Sequence, residues 1–217
     1  MTKPHPNAAA IAAEIFSFLG KHGPSFDDAA RREALTTYVT LVDTWNRKQN
    51  LTGAHTIEEL VEILVGDAVH LAEALVDGGI RSFVDVGAGA GAPAIPLLAL
   101  LPETRGVLVE PARKRVTFMR LAIGTLGLGP RARVLEQSVD QADPSVEGAP
   151  FDVALSRATF SPEEWLPVGL ALGHTVAVLS TGAPRHTPPN TELVHSTHYT
   201  LRSAAQPRWL GLYRSAH

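Results

Sequence analysis

An acid, Asp85, stands two positions before the first of three closely spaced glycines, Gly87, Gly89 and Gly91. A second acid, Glu110, follows about twenty residues on, and an arginine, Arg157, ends an apolar run. Phe83, Val84 and Val86 give the aromatic and β-branched composition of a buried strand just before the glycines. The glycines let the backbone turn tightly and approach a ligand with no side chain in the way. Pro93 and Pro96 fall early enough in the next apolar run to be tolerated in the first turn of a helix. Strand, glycine hinge and helix in this order bind nucleotide-like ligands at the carboxyl end of a parallel strand.

Two ligand chemistries compete for the loop. Gly87-x-Gly89-x-x-Ala92 satisfies the permissive dinucleotide fingerprint, and Glu110 lies where an acid meets ribose hydroxyls. An NAD-dependent oxidoreductase therefore stays open. Asp85 favours a different ligand, because a pyrophosphate beside it would meet a like charge in a partly desolvated site. S-adenosylmethionine has no phosphate and carries an ammonium and a sulfonium, which an acid attracts. A third reading makes these turn glycines and a structural aspartate.

Successive strands of a parallel sheet bring their carboxyl ends to one crevice. That places Glu110 at the ribose, Val139 and Asp140 near an adenine, and Arg157 beside them. An arginine closing an apolar strand needs a ligand, an acidic partner or solvent for its guanidinium.

The elements that must position these residues are legible from periodicity. Helices are expected over 8–20, from Asp27 or Asp28 to Asn46, and over 57–76, with Leu35, Tyr38, Val39, Val42 and Trp45 as the apolar stripe of the second. Trp45 reads as core packing rather than base stacking. Strands are expected at 82–86, 106–110, 131–136, 151–157 and 175–180, with helices over 112–126, 137–142 and 161–172. Two further β-like runs, 192–201 and 207–213, read as a closing antiparallel pair joined by a polar segment, and 183–190 as a surface loop. Strand–helix alternation means a doubly wound α/β domain (residues 81–217) behind an N-terminal helical cap (residues 1–80), in one compact unit.

Composition sets bounds rather than a function. The 217 residues include no cysteine, which excludes disulfides, thiolate metal sites and a cysteine nucleophile. The first residues lack the charged-then-apolar build of a signal peptide, and no apolar run approaches the ~20 residues of a membrane span, so a cytoplasmic protein without a membrane partner is expected. His195 and His198 are three apart in a strand, and no metal is expected. A net charge of −3 leaves room for a local basic face.

Four blocks together resemble a known family: Trp45-Asn-x-x-x-Asn-Leu-Thr52, Asp85-Val-Gly-x-Gly-x-Gly-x-Pro-x-x-Pro-Leu97, Leu108-Val-Glu-x-x-x-Lys-Arg-x-x-Phe-Met119 and Phe151-Asp-Val-x-x-Ser-Arg-Ala158. In order and spacing, from about residue 33 to 182, they are similar to the bacterial 16S rRNA guanine-N7 methyltransferases, the glucose-inhibited division protein B family. The resemblance implies a class I methyltransferase fold, with a mostly parallel, Rossmann-like seven-stranded sheet, and S-adenosylmethionine as donor. It implies a donor site that includes Gly87, Ala92, Val139, Asp140 and Arg157, and 16S rRNA in the small ribosomal subunit as partner of a monomer. The family's usual bulky residue at Ala92, glycine at Ala94, arginine at Ser138, basic pair at Ile63-Leu64 and lysine at Ser180-Thr181 are absent here. That loss of cations motivates a further reading, a redirected or non-catalytic relative that binds another RNA, protein or small molecule.

Guanine N7 already holds a free lone pair, so its methylation needs no general base, and the lack of an evident catalytic His or Cys is no objection. Arg157, the catalytic candidate, would orient the base or fix a phosphate or carboxylate. Arg113, Lys114, Arg115 and Arg120 are the expected RNA contacts, with Arg47, Lys48, Arg131 and Arg133 as further candidates and a solvated face as the competing reading.

Overall fold

The computed structural model describes residues 6–202 and 206–216. The first five residues, and part of the polar segment before the last strand, lie outside it.

The chain begins with helices because its apolar residues there recur at helical spacing. Helix α1 (Ala8–His22) buries Ile11, Ile15, Phe18 and Leu19. Helix α2 (Ala29–Gln49) starts at Asp28, whose carboxylate accepts from the Arg31 amide, and ends at Asn50 in the left-handed conformation. The single helix expected over 57–76 is interrupted. Helix α3 (Ile57–Val61) passes into a π-turn over Glu62–Gly66 before α4 (Asp67–Leu75) resumes. A π-turn widens the helix and disturbs its regular i→i+4 hydrogen bonding, often at functional sites. Periodicity alone does not register the extra residue.

The sheet contains β1 (Ser82–Val86), β2 (Arg105–Val109), β3 (Ala132–Leu135), β4 (Phe151–Arg157), β5 (Gly173–Ser180), β6 (Thr191–Tyr199) and β7 (Arg208–Ser215). Helices α5 (Ala94–Leu100), α6 (Arg113–Thr125) and α7 (Pro162–Leu172) connect them. The seven strands run in the order β3-β2-β1-β4-β5-β7-β6. The first five are parallel, and β7 lies antiparallel between β5 and β6. The expected closing pair exists, but its second strand is the one that joins the sheet. Strand order reverses between β1 and β4, the topological switch point where open α/β sheets bind ligands.

Side chains alternate across the pleat. Phe83, Leu108, Val153 and Leu155 join one cluster with the cap helices and α5 and α6, and Val84, Val86, Ala154 and Val176 join the other with α7. The cap therefore completes the core of one sheet face. Trp45, expected in the core, is partly buried against Phe118 with ring centroids 5.5 Å apart.

The helix expected over 137–142 does not form. Asp140 instead accepts from the Ala142 amide at 2.9 Å, a local side-chain bond that competes with helical pairing, and Pro144 follows. Helix α7 shows the opposite case. Ser161 accepts from the Glu164 amide while the Glu164 carboxylate accepts from the Ser161 amide, a complete capping box. Trp165, in its first turns, donates to the Ala177 carbonyl of β5 at 2.9 Å. Ser161→Ala should destabilise the protein by about 1 kcal/mol. Urea denaturation reads this as a lower midpoint at unchanged slope, and an unaltered midpoint would deny the cap its role.

Candidate active site

After Val86 the glycine loop keeps contact with β2, because the amides of Gly87 and Ala88 both donate to the Val109 carbonyl at 2.8 and 3.0 Å. Gly87, Gly89 and Gly91 have φ of 79°, 60° and 86°, the left-handed region that side chains resist. At Gly87 and Gly91 space forbids a side chain too. A Cβ on Gly87 would collide with the Thr159 hydroxyl, and one on Gly91 would lie 2.5 Å from Ile95 Cδ1. From the cap, the buried Tyr38 hydroxyl donates to the Ala90 carbonyl at 2.9 Å and fixes the loop's far side.

Glu110 holds the same loop from the other direction. Its Oε2 accepts from the Gly89 amide and its Oε1 from the Ala112 amide, both at 2.9 Å, with the Arg115 guanidinium 3.7 Å away. A carboxylate has about four acceptor directions, so capacity remains for a ligand hydroxyl.

The two buried aspartates contrast sharply. Asp85 shares the cap-facing side of β1 with Phe83 and is 1% exposed, beneath the loop rather than on the wall of the crevice. Neither of its oxygens has a partner with hydrogen-bond geometry, the Ala94 amide contributing only an electrostatic pull. Burial pushes its carboxyl up to about 7, against the opposing charge of Arg157. Asp67 is equally buried but fully partnered: Tyr199 donates to Oδ1 at 2.6 Å and Arg157 to Oδ2 at 3.1 Å. Arg157 also donates to the Ile63 carbonyl at 2.6 Å, within the π-turn.

These parts enclose one cavity of about 330 Å³. Its wall includes Leu51, Thr52, Gly53, Gly87, Gly89, Ala92, Arg115, Arg157 and Ala158. The Leu51–Gly53 edge is set by the end of α2, where Asn46 accepts from the Thr52 amide at 2.8 Å and Thr52 accepts from the Ala54 amide at 3.0 Å. Asn50-Leu-Thr52, which matches a glycosylation acceptor, is thus part of a turn that lines the cavity.

Of the residues expected at the site, Gly87, Gly89, Ala92 and Arg157 line the cavity, Gly91 and Asp85 support it from below, and Glu110 fastens its loop. Val139 packs on the second core cluster and Asp140 is exposed, and neither is among the residues that line the cavity. Among the expected RNA contacts, Arg113, Lys114 and Arg115 form the exposed first turn of α6, and Arg47 and Lys48 the exposed end of α2. Three of the expected contacts have partners within the fold. Arg131 donates to the carbonyls of Leu98, Leu101 and Thr104, and Arg133 pairs with Glu147 at 2.8 Å, so both are engaged within the fold. Arg120 likewise donates to the Val134 carbonyl. Sequence reasoning missed Tyr38, Asp67, Thr159 and Tyr199. The nearest signal was an acid, Asp67, at a position that helical spacing buries.

Residues 31–175 match the family described as GidB, rRNA small subunit methyltransferase G. Two relatives carry the name ribosomal RNA small subunit methyltransferase G. The protein of Stenotrophomonas maltophilia is 35% identical over 154 residues, 71% of this chain and 68% of its own length. That of Anaeromyxobacter dehalogenans is 33% identical over 160 residues, 70% of each chain. Among solved structures, the magnesium protoporphyrin IX methyltransferase of Synechocystis, with bound S-adenosylmethionine, superposes with a TM-score of 0.57 at 16% identity, covering 82% of this chain and 97% of that one. The mitomycin 7-O-methyltransferase MmcR gives 0.54 at 16% identity, covering 97% and 74%. At these identities the two structures speak for the fold alone, a class I methyltransferase.

The raised Asp85 carboxyl has a measurable consequence. A group protonated in the folded protein above its unfolded value of 3.8 contributes stability that is complete below about pH 4 and lost as pH rises towards 7. Asp85→Asn stays neutral throughout. The melting temperature of the variant should therefore gain on that of the wild type between pH 4 and 7 in the absence of ligand. A constant offset across that range would show that Asp85 does not titrate there.

Proposed function

The chain belongs to the rRNA small subunit methyltransferase G family, and from that premise we propose that it transfers a methyl group from S-adenosylmethionine to N7 of a guanine in 16S ribosomal RNA. One observation carries the reading. The four sequence blocks that mark the family each contribute to a single cavity: Leu51 and Thr52, then Gly87, Gly89 and Ala92, then Arg115, then Arg157 and Ala158.

The residues present fit the donor. The glycine loop presents bare backbone to the cavity at Gly87 and Gly89, and Glu110 keeps acceptor capacity for ribose hydroxyls beside it. Val139 and Asp140, which do not line the cavity itself, are the residues proposed for the adenine end. Arg115 and Arg157 put two cations on the wall, and Asp85 sits below it, so the charge argument from Asp85 is weaker in space than in sequence. Family membership, not Asp85, now favours a methyl donor over NAD. When bound, the donor supplies an electrophilic methyl on a sulfonium. The chain's part is to align that carbon with the guanine nitrogen and exclude water, since N7 offers its lone pair with no proton to remove. Arg157 is held by Ile63 and Asp67 at the edge where donor and base would meet, and orientation is its proposed role.

RNA docking is assigned to the rim. Helix α6 opens with three cations and no acid in its first turn, against the preference of a helix N-terminus for negative charge. Among the described residues Arg113 and Lys114 form no ion pair, whereas Arg115 leans on Glu110 and Arg47 on Asp43 at 3.5 Å. Phosphates of the RNA would reverse that unfavourable arrangement. No helix among the described residues is long and apolar enough to cross a membrane. The reading takes the protein as a cytoplasmic monomer acting on the small subunit, and the chemistry asks for neither a metal nor a second copy.

Equilibrium dialysis against S-adenosylmethionine and NAD tests the donor, and selective retention of NAD would overturn this reading. Charge reversal at Arg113 and Lys114 should lower methylation of 30S particles and flatten its salt dependence by a slope of about 2, leaving donor affinity unchanged. Unaltered turnover would remove the α6 rim from the RNA path.

A further inference from the structure

A second cavity, of about 230 Å³, lies against the donor cavity, with Arg157 and Ala158 in the wall they share. It opens at the carboxyl ends of β4 and β5, and Phe160, Trp165, Thr181 and Arg208 line the rest of what matters here. Its size is below the ~300–1,000 Å³ of sites for drug-sized ligands, which suits one ring system rather than a whole nucleotide. The turn that separates the two cavities is built at a cost. Ala158 has φ 57°, a conformation that a residue with a Cβ resists.

Two features of this cavity suit a flat ligand that carries an acceptor. The Phe160 ring is half-buried and stacked on Trp165, centroids 5.7 Å apart and planes 18° from parallel, which fixes it as a flat platform. Arg208, the first residue of β7, is half-buried, and among the described residues it forms neither a hydrogen bond nor an ion pair. A guanidinium has five donors and no acceptor, so with none of them engaged inside the fold Arg208 can donate to an acceptor on a ligand in the cavity. By contrast Arg157, across the cavity, donates to the Ile63 carbonyl and to Asp67.

We propose that this cavity receives the guanine to be methylated, its face on Phe160 and its O6 towards Arg208; the inference rests on the family's reaction as read above. Guanine presents O6 and N7 as acceptors on one edge, and N7 must stay free to attack. Arg208 therefore takes O6 alone. Adenine places an amino donor where O6 stands, so the same arginine rejects it. Contact at O6 also explains how a cation can serve a reaction that leaves positive charge on the base: Arg208 selects the base and does not assist the transfer. A single-base pocket requires the target to be unstacked, which an RNA loop or exposed end provides. The competing occupant is a phosphate, which would use Arg208 and have no need of Phe160.

The full chain, its donor affinity measured by calorimetry without RNA and its methyl transfer measured on 30S particles that lack the modification, separates these cases. Phe160→Ala and Arg208→Ala should each lower kcat/KM for the particles roughly 10- to 100-fold, chiefly through KM, with donor affinity within about twofold of wild type. Phe160→Tyr, which keeps the platform, should retain most of the activity, and this rescue excludes a mere folding defect. Unchanged transfer by both alanine variants would overturn the inference, as would a parallel loss of donor affinity. Loss in Arg208→Ala with normal transfer by Phe160→Ala would assign the cavity to a phosphate. A wild type that binds donor but leaves the particles unmethylated would sink the reaction itself, and this inference with it, whereas active wild type with active variants sinks only the pocket.

Discussion

The guanidinium of Arg157 joins three parts of the chain that have no reason to meet in sequence. It ends β4, donates into the π-turn at Ile63, and pairs with Asp67, whose other oxygen is held by Tyr199 at the end of β6. Asp67 and Tyr199 are 132 residues apart. A buried ion pair of this kind is weak support for stability, since desolvation offsets the attraction, but removing one partner strands the other. Its consequence is geometric. The cap, the parallel strands and the closing hairpin are fixed against one another at the wall between the two cavities. Leu201, packed so close to Gly66 that a Cβ there would lie 2.8 Å from its Cδ2, keeps the hairpin against the π-turn.

The glycine loop depends on that frame and on two further anchors. Tyr38 binds it from the cap and Glu110 from the end of β2, so the loop is held by two elements distant in sequence. Asp85 beneath it remains unpartnered, an arrangement that costs free energy and is the kind of strain that collects at ligand sites. The same contrast of partnered and unpartnered groups separates Arg157 from Arg208 one cavity further on.

Charge is organised locally rather than globally. The net charge of −3 says nothing about the exposed cations at the start of α6 and the end of α2, of which Arg115 lines the cavity. Several basic residues expected to face RNA, Arg120, Arg131 and Arg133, also have carbonyls or Glu147 as partners within the fold. Residue type gives no warning of this, because an arginine that caps a chain of carbonyls and one that awaits a phosphate have the same local sequence signature. The partner is what differs, and it comes from a distant strand or loop.

The sequence by itself determined the strands, the glycine hinge, most helices and the order of motifs, because each follows from periodicity, glycine chemistry or capping within a few residues of its own position. It also determined the family, through four blocks whose combined order is specific. Only the tertiary structure decided that Asp85 lies under the loop and not on its face, that Glu110 fastens the loop, and that 136–150 stays irregular. Only the structure, too, revealed the π-turn, the pairing of Arg157 with Asp67 and Tyr199, and the unpartnered Arg208. Burial and hydrogen-bond partnership are properties of what surrounds a residue. For these side chains the surroundings come from segments up to 132 residues away, where no local rule reaches.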